Sequence, residues 1–449
     1  MQLPNTLKTP SFIQQLNWIT DPLGFMEKAA QQYPDIFTTG LNDFGKHMIF
    51  VNHPQAIQLI FTNDGKKFLT GGQRNTVLKP LIGDSSVMLQ EGERHRRSRQ
   101  LITSPFHKER MELYGKLICS VTEKFFDQLP QNKPFLAWNA MQDIALEVIL
   151  QAVFGLTEGE QYQQLKHQIT LLLHILQSPI NLSFFLFPFL QKDLGAWNAW
   201  GRFVRHRQQI DKILYAEIDK RRKQPDPTRT DVLSLLMSVK DEEGQLMTDL
   251  ELRDQIIALL LAGHETTANA MAWELYWTHR NFEVREKLLQ ELNSLGGSPD
   301  PMSIVKLPYL SAVCNETLRI HPTGILSMPR ELQEPVELLG HKLELGTLLV
   351  ASIYLLHQRE DLYPQPKQFR PERFLERQFS PYEFMPFGGG VRRCIAHAFA
   401  PFEMKLVLAT ILRRYQLKLA DNRPERPVRR GFATGPARGV KMIVTDRTP

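Results

Sequence analysis

Cysteine is scarce in this sequence: three residues in 449, at Cys119, Cys314 and Cys394. They lie far apart and are odd in number. That excludes a disulfide framework and points to a reducing, cytoplasmic setting. No C-x-x-C spacing occurs, so a structural zinc site is excluded as well. Long apolar runs are also missing. The richest, PINLSFFLFPFL at 179–190, is broken by prolines. It falls well short of the roughly 20 residues that span a bilayer. It reads as a greasy surface loop, with peripheral membrane contact at most. The N-terminus, MQLPNTLKTPSFIQQL, lacks a basic segment followed by an apolar one and is not a signal peptide. No Gly/Ser linker, charge block, low-complexity tract or repeat divides the chain. Length alone would allow about two to four domains, but one unit spanning 1–449 is expected. Lys+Arg exceeds Asp+Glu by 54 to 48, a net charge of +6. The bias suits an acidic partner. Without an aromatic-interleaved basic stripe it does not mark a nucleic-acid binder.

What is present begins with FMPFGGGVRRCIA, at 384–396. Gly388, Gly389 and Gly390 suit backbone that passes close to something flat or charged. Arg392 and Arg393 set positive charge beside Cys394, which favours the thiolate. The helical sequence after Cys394 would place the sulfur near a helix N-terminus, which also favours an anion.

A second stretch is TDLELRDQIIALLLAGHETTANAMAWELYWTHR, from Thr248 to Arg280. Thr248 followed by Glu251 is a capping-box signature. The predicted helix is about 50 Å long and mostly apolar in its middle, as a buried helix should be. Ala262, Gly263 and Thr266 share one face, where small residues make room for something. A helix crossing that needs small residues reads the same way. Glu265 is an acid in an apolar run, which is costly unless paired or functional.

A third stretch, PYLSAVCNETLRIHP, reads as a helix between Pro308 and Pro322. Glu316 and Arg319 meet on it at i,i+3. Taken alone this is an everyday surface pair. The apolar flanks suggest burial instead, and Arg373 in FRPERF offers a second guanidinium.

FGGGVRRCIA, AGHETT, ETLR and PERF together resemble the cytochrome P450 family of haem-thiolate monooxygenases, in that family's order. The resemblance runs from about residue 20 to the C-terminus. It implies a mainly α fold, with haem b buried between the long helix and the cysteine loop. A small β-rich region is expected at about 30–70 and 330–360. Strand-like patterns occur in KHMIFVNH, KLELGTLLVASIYLL and KMIVT.

Carried over residue by residue, Cys394 would ligate the haem iron and Phe387 would shield the sulfur. Gly388 would let the loop pass beneath the porphyrin. Arg392, His95, Arg99 and Arg330 would reach the propionates. Ala262 and Gly263 would border the haem, and Thr266 and Glu265 would deliver protons. Glu316, Arg319 and Arg373 would form the structural ion-pair cluster. Two positions depart from the common pattern: Ala396 replaces a Gly, and His95 replaces a Trp.

The resemblance also implies O2 activation with two electrons from a separate ferredoxin or flavodoxin-type donor and its reductase. Arg392, Arg393, Arg96 and Arg97 would form a basic face for that donor. The implied pocket holds Leu69, Val77, Leu78, Leu172, Phe184, Phe185, Phe187, Leu259, Ile325, Leu326 and Phe432, a lining for an apolar ligand. The chain looks like the family's cyanobacterial branch. A long-chain fatty acid is expected, with Arg74 or Lys79 as carboxylate anchors, and a sesquiterpene-like terpenoid is the alternative. A peroxygenase or hydroperoxide isomerase, or a haem carrier without catalysis, is the alternative of another class. The Glu265–Thr266 pair favours the monooxygenase.

Overall fold

The computed structural model describes residues 3–43, 46–70, 78–106, 108–156, 158–178, 181, 184–185 and 190–447. Helices dominate. The central helix, Asp249–Arg280, starts where the capping box predicts. Thr248 Oγ1 accepts from the Glu251 N–H at 3.2 Å, and the Glu251 carboxylate accepts from the Thr248 N–H at 2.8 Å. Its hydrophobic residues point all round the helix, because it runs between two cores. The C-terminal part, with Ala268, Met271 and Trp273, packs into a core shared with helices Ala137–Phe154, Pro308–Ile320 and Phe399–Arg414. The N-terminal part, with Leu252, Ile256 and Leu260, packs into another, shared with helices Glu160–Gln177 and Ala199–Lys223. Each fully buried Leu or Phe of these cores contributes about 1.5–3 kcal/mol. Ala262 lies between the two cores and is exposed within an otherwise buried helix.

A five-stranded sheet has the order β1-β2-β8-β5-β3. Its strands are β1 (Ile36–Asp43), β2 (Lys46–Val51), β3 (Phe68–Leu69), β5 (Arg330–Leu332) and β8 (Leu348–Ala351); β6 (Val336–Leu338) and β7 (His341–Leu343) pair with each other. The expected strand through KLELGTLLVASIYLL ends at Ala351. Ser352 then accepts from the Leu355 N–H at 3.2 Å and starts a short helix, Ile353–His357. The hydroxyl cap overrides the β-branched pattern. KMIVT falls in β12 (Lys441–Arg447), between β4 (Pro134–Leu136) and β9 (Tyr415–Leu419). An antiparallel hairpin, β10 (Pro427–Arg430) and β11 (Ala433–Pro436), packs on the central helix.

Glu316 and Arg319 are fully buried rather than a surface pair. Arg319 holds the Glu316 carboxylate with two donors at 2.7 and 2.9 Å, and reaches the His357 carbonyl at 2.8 Å. Arg373 donates to the same carboxylate at 3.1 Å, and the Arg370 N–H does so at 2.9 Å. Helix and loop are thereby clamped together. Among the described residues no helix is long and apolar enough to cross a membrane.

Candidate active site

The cysteine loop is shaped by its glycines. Gly388 and Gly390 both have φ of 67°, a region that favours glycine. A Cβ on Gly390 would lie 2.3 Å from an Asp64 carboxylate oxygen. The Cys394 N–H closes the loop on the Phe387 carbonyl at 2.9 Å. Helix Phe399–Arg414 does not follow directly, as the sequence pattern suggested. A 3-10 turn, Ile395–His397, intervenes. The Ala396 amide of that turn faces the sulfur. Charge does not decide the state of the free thiol, contrary to expectation. Burial pushes it up, against the Ala396 amide, Arg99 and Arg393. Yet Cys394 is exposed. A side chain crowded by protein and still accessible can meet a bound group. Ile395, beside it, packs on the same cluster as Leu259 and Leu261 of the central helix.

Four basic groups converge next to this loop. His95 is buried, and its imidazole is pushed down to about 4 by desolvation and then by Arg392, Arg99 and Arg330. Burial and the Arg330 charge lower Arg392 to about 10. Arg330 grips Asp64 with two donors at 2.8 and 2.9 Å. Arg392 reaches the carbonyls of Val87 at 3.0 Å, Thr70 at 2.9 Å and Gln90. Arg99 reaches the Arg393 carbonyl at 2.6 Å. Asp64 is buried among them, whereas Glu91 is exposed. The cluster is short of negative charge, which fits a group bearing two carboxylates. Together with the accessible thiol, this donor set fits haem.

Some expected roles move. Gly263 aims its missing side chain at the helix Ala137–Phe154: a Cβ there would lie 2.8 Å from Ile149. It serves the helix crossing, while Ala262 leaves the open space. Thr266 Oγ1 donates to the Ala262 carbonyl at 2.7 Å. Glu265 is pushed up to about 7 by burial, against the Phe432 amide and the Arg430 charge. Arg392 points inward to carbonyls and not toward a partner-facing surface. Arg97 is paired with Asp241 and Glu251 at 2.5 and 2.6 Å, and Arg96 with Glu93 at 2.8 Å. Arg393 stays exposed.

Of the pocket candidates, Phe432 is 57% exposed, and Leu78, Leu259, Ile325 and Leu326 are half-buried. Leu69 is exposed on β3, whereas Leu172 and Phe185 belong to a core. Phe184 packs edge-on against Trp200. Phe387 packs on the other core, and Gly388 faces open space. Lys79 is paired with Asp84. Val77, Arg74 and Phe187 lie outside the described residues.

Sequence reasoning missed five contributors. Asp64 joins Arg330 to the Val391 N–H, at 3.1 Å. Asp254 and Gln255 hold the Gly83–Gln90 loop through the Ser85 and Val87 N–H groups, at 2.8 and 3.0 Å. That loop supplies the Val87 and Gln90 carbonyls to Arg392. The adjacent Asp–Gln in an apolar helix was the available signal. Arg430 and Gly431, behind Glu265, carried none.

The family model for Cytochrome P450 matches residues 4–441. Cytochrome P450 135B1 of Mycobacterium tuberculosis (strain ATCC 25618 / H37Rv) is 35% identical over 99% of this chain and 92% of its own. Cytochrome P450 135A1 of the same strain is 33% identical over 98% and 94%. The solved structure of retinoic acid-bound cyanobacterial CYP120A1 is similar with a TM-score of 0.86 and 26% identity, over 100% of both chains. The cytochrome P450DA heme domain, at 19% identity and a TM-score of 0.84, covers 100% of this chain and 98% of its own and shares the fold. This chain belongs to the cytochrome P450 family, the haem b monooxygenases that take O2 and electrons from a redox partner.

Proposed function

We propose that this monooxygenase hydroxylates a long-chain fatty acid or related aliphatic. The carrying observation is the accessible apolar set Leu259, Ile325, Leu326 and Phe432, beside a helix left open at Ala262. Accessible apolar side chains of this kind suit an apolar ligand. A second reading, a terpenoid, has its own support: the cyanobacterial relative was solved with retinoic acid, an isoprenoid carboxylate. Spectral screening of fatty acids and terpenes for a haem spin-state shift, followed by product analysis, tests both. Binding by neither class would overturn the reading.

Haem, when bound, supplies the oxidising chemistry, and a thiolate ligand favours O–O cleavage. The chain supplies the rest. Cys394 would present the sulfur, shielded by Phe387. Arg99, Arg330, Arg392 and a neutral His95 would hold the carboxylates. Glu265, poised near neutral pH, would take protons from solvent and pass them to Thr266 Oγ1. Thr266 would release the Ala262 carbonyl to turn its hydroxyl into the open space. The electron donor would be a small ferredoxin or flavodoxin-type protein. Three free cysteines support a reducing cytoplasm as its setting.

Thr266→Ala is expected to keep the thiolate spectrum, because the residue bonds only within its helix. Product formation should fall by about 10²-fold, with electrons lost as peroxide. Measured product per electron checks this; unchanged coupling would remove Thr266 from the proton path.

A further inference from the structure

The carboxyl of Glu265 is pressed against the turn of the β10–β11 hairpin. Strand pairing ends at Arg430↔Ala433, so Gly431 and Phe432 alone make the turn. Gly431 has φ of 55°, and a Cβ there would lie 2.5 Å from one Glu265 oxygen and 2.9 Å from the other. The next residue faces two ways. Its backbone N–H is turned to the Glu265 carboxyl. The residue is 57% exposed, and its ring stands 6.3 Å from Phe185.

The legs of the hairpin are fixed. Arg430 donates to the Pro436 carbonyl at 3.0 and 2.8 Å and lies 4.1 Å over the Trp138 ring. Trp138 Nε1 donates to Asn269 Oδ1 at 2.6 Å, one helical turn beyond Glu265. A Cβ on Gly435 would come within 2.4 Å of that Asn269 oxygen. Thr434 bonds the Pro322 and Thr323 carbonyls, at 2.9 and 3.0 Å. Movement at the hairpin is therefore confined to its tip.

We propose that Phe432 is a positioning residue for proton delivery: an apolar substrate that displaces its ring shifts the amide that faces Glu265 in the turn packed on its carboxyl. Pocket occupancy and the readiness of the acid are thereby joined through one peptide unit. The inference rests on the reading of Glu265 as the proton source and adds what regulates it. Arg430 is the charge facing the carboxyl from the hairpin. His264, adjacent on the helix, turns the other way, to the Gln142 carbonyl at 2.9 Å, and burial keeps it neutral.

The test is infrared titration of the Glu265 carboxyl band in the holoprotein. Its loss in Glu265→Gln identifies the band. Phe432→Ala and Gly431→Ala should each move the midpoint by about 0.7 pH unit, the scale of one hydrogen bond. The Gly431→Ala shift should be upward, since the new Cβ parts amide from carboxylate. Phe432→Ala changes an exposed side chain and keeps the test usable if Gly431→Ala fails to fold. Dodecan-1-ol, added until the haem spin-state signal saturates, should move the wild-type midpoint and leave that of Phe432→Ala in place. Midpoints that stay at the wild-type value in both variants would overturn the proposal. So would a wild-type midpoint unmoved at saturation. Failure of Glu265 as proton source would appear elsewhere, as unchanged product per electron in Glu265→Gln.

Discussion

Cys394→Ser protein, expressed with ample haem, will lack the red-shifted carbon monoxide band of thiolate ligation and will not oxygenate substrate. The loop should survive the change. Its closing bond uses the backbone N–H of residue 394, and Asp64 holds the Val391 N–H independently. Only the sulfur is removed. A serine hydroxyl is far less acidic than a thiol, so no anion remains to serve iron. The free thiol is itself held up by burial, and bound iron would supply the positive charge that favours the thiolate at Cys394. Reduced-minus-reduced-carbon-monoxide spectra check the ligand, and circular dichroism checks the fold. A retained thiolate band would mean that another residue ligates, and the assignment of the site would fall.

Glu316→Gln is expected to cost about 3–5 kcal/mol of stability. The carboxylate is fully buried between Arg319 and Arg373, which are buried as well. Removing it leaves two guanidinium charges with carbonyls alone. A domain of ordinary stability has about 5–15 kcal/mol in total, so the variant should lose a large share of it. The exposed Arg96–Glu93 pair is the control: its removal should leave stability essentially unchanged. Denaturant titration of the two variants decides the matter. A loss below about 1 kcal/mol for Glu316→Gln would mean that the cluster does not hold the loop to the helix.

Much of the site was legible because its parts are local. The capping box at Thr248 and Glu251 lies within one helical turn. The glycines beside Cys394 are dictated by φ angles of single residues, and Glu316 with Arg319 by helix spacing. Such features depend on a few adjacent residues, and the sequence states them directly. Even here, reading stopped short where two local preferences competed. At Ser352 a hydroxyl cap ended a strand that the apolar pattern would have continued.

The sequence by itself pointed to the family, singled out Cys394, Glu265 and Thr266 as candidates, and set Glu316 and Arg319 at a spacing where they can pair. Tertiary structure alone decided which charges are free and which groups are dry. Arg97 meets its acids 144 and 154 residues away, and Arg330 meets Asp64 across 266. Gly263 proved to serve a crossing, with Ile149, that no spacing within its own helix could name. Glu265 is poised near neutrality because the fold buries it against a hairpin from the far C-terminal end. Desolvation and long-range pairing depend on the packing of segments remote in the chain, and no local pattern encodes them.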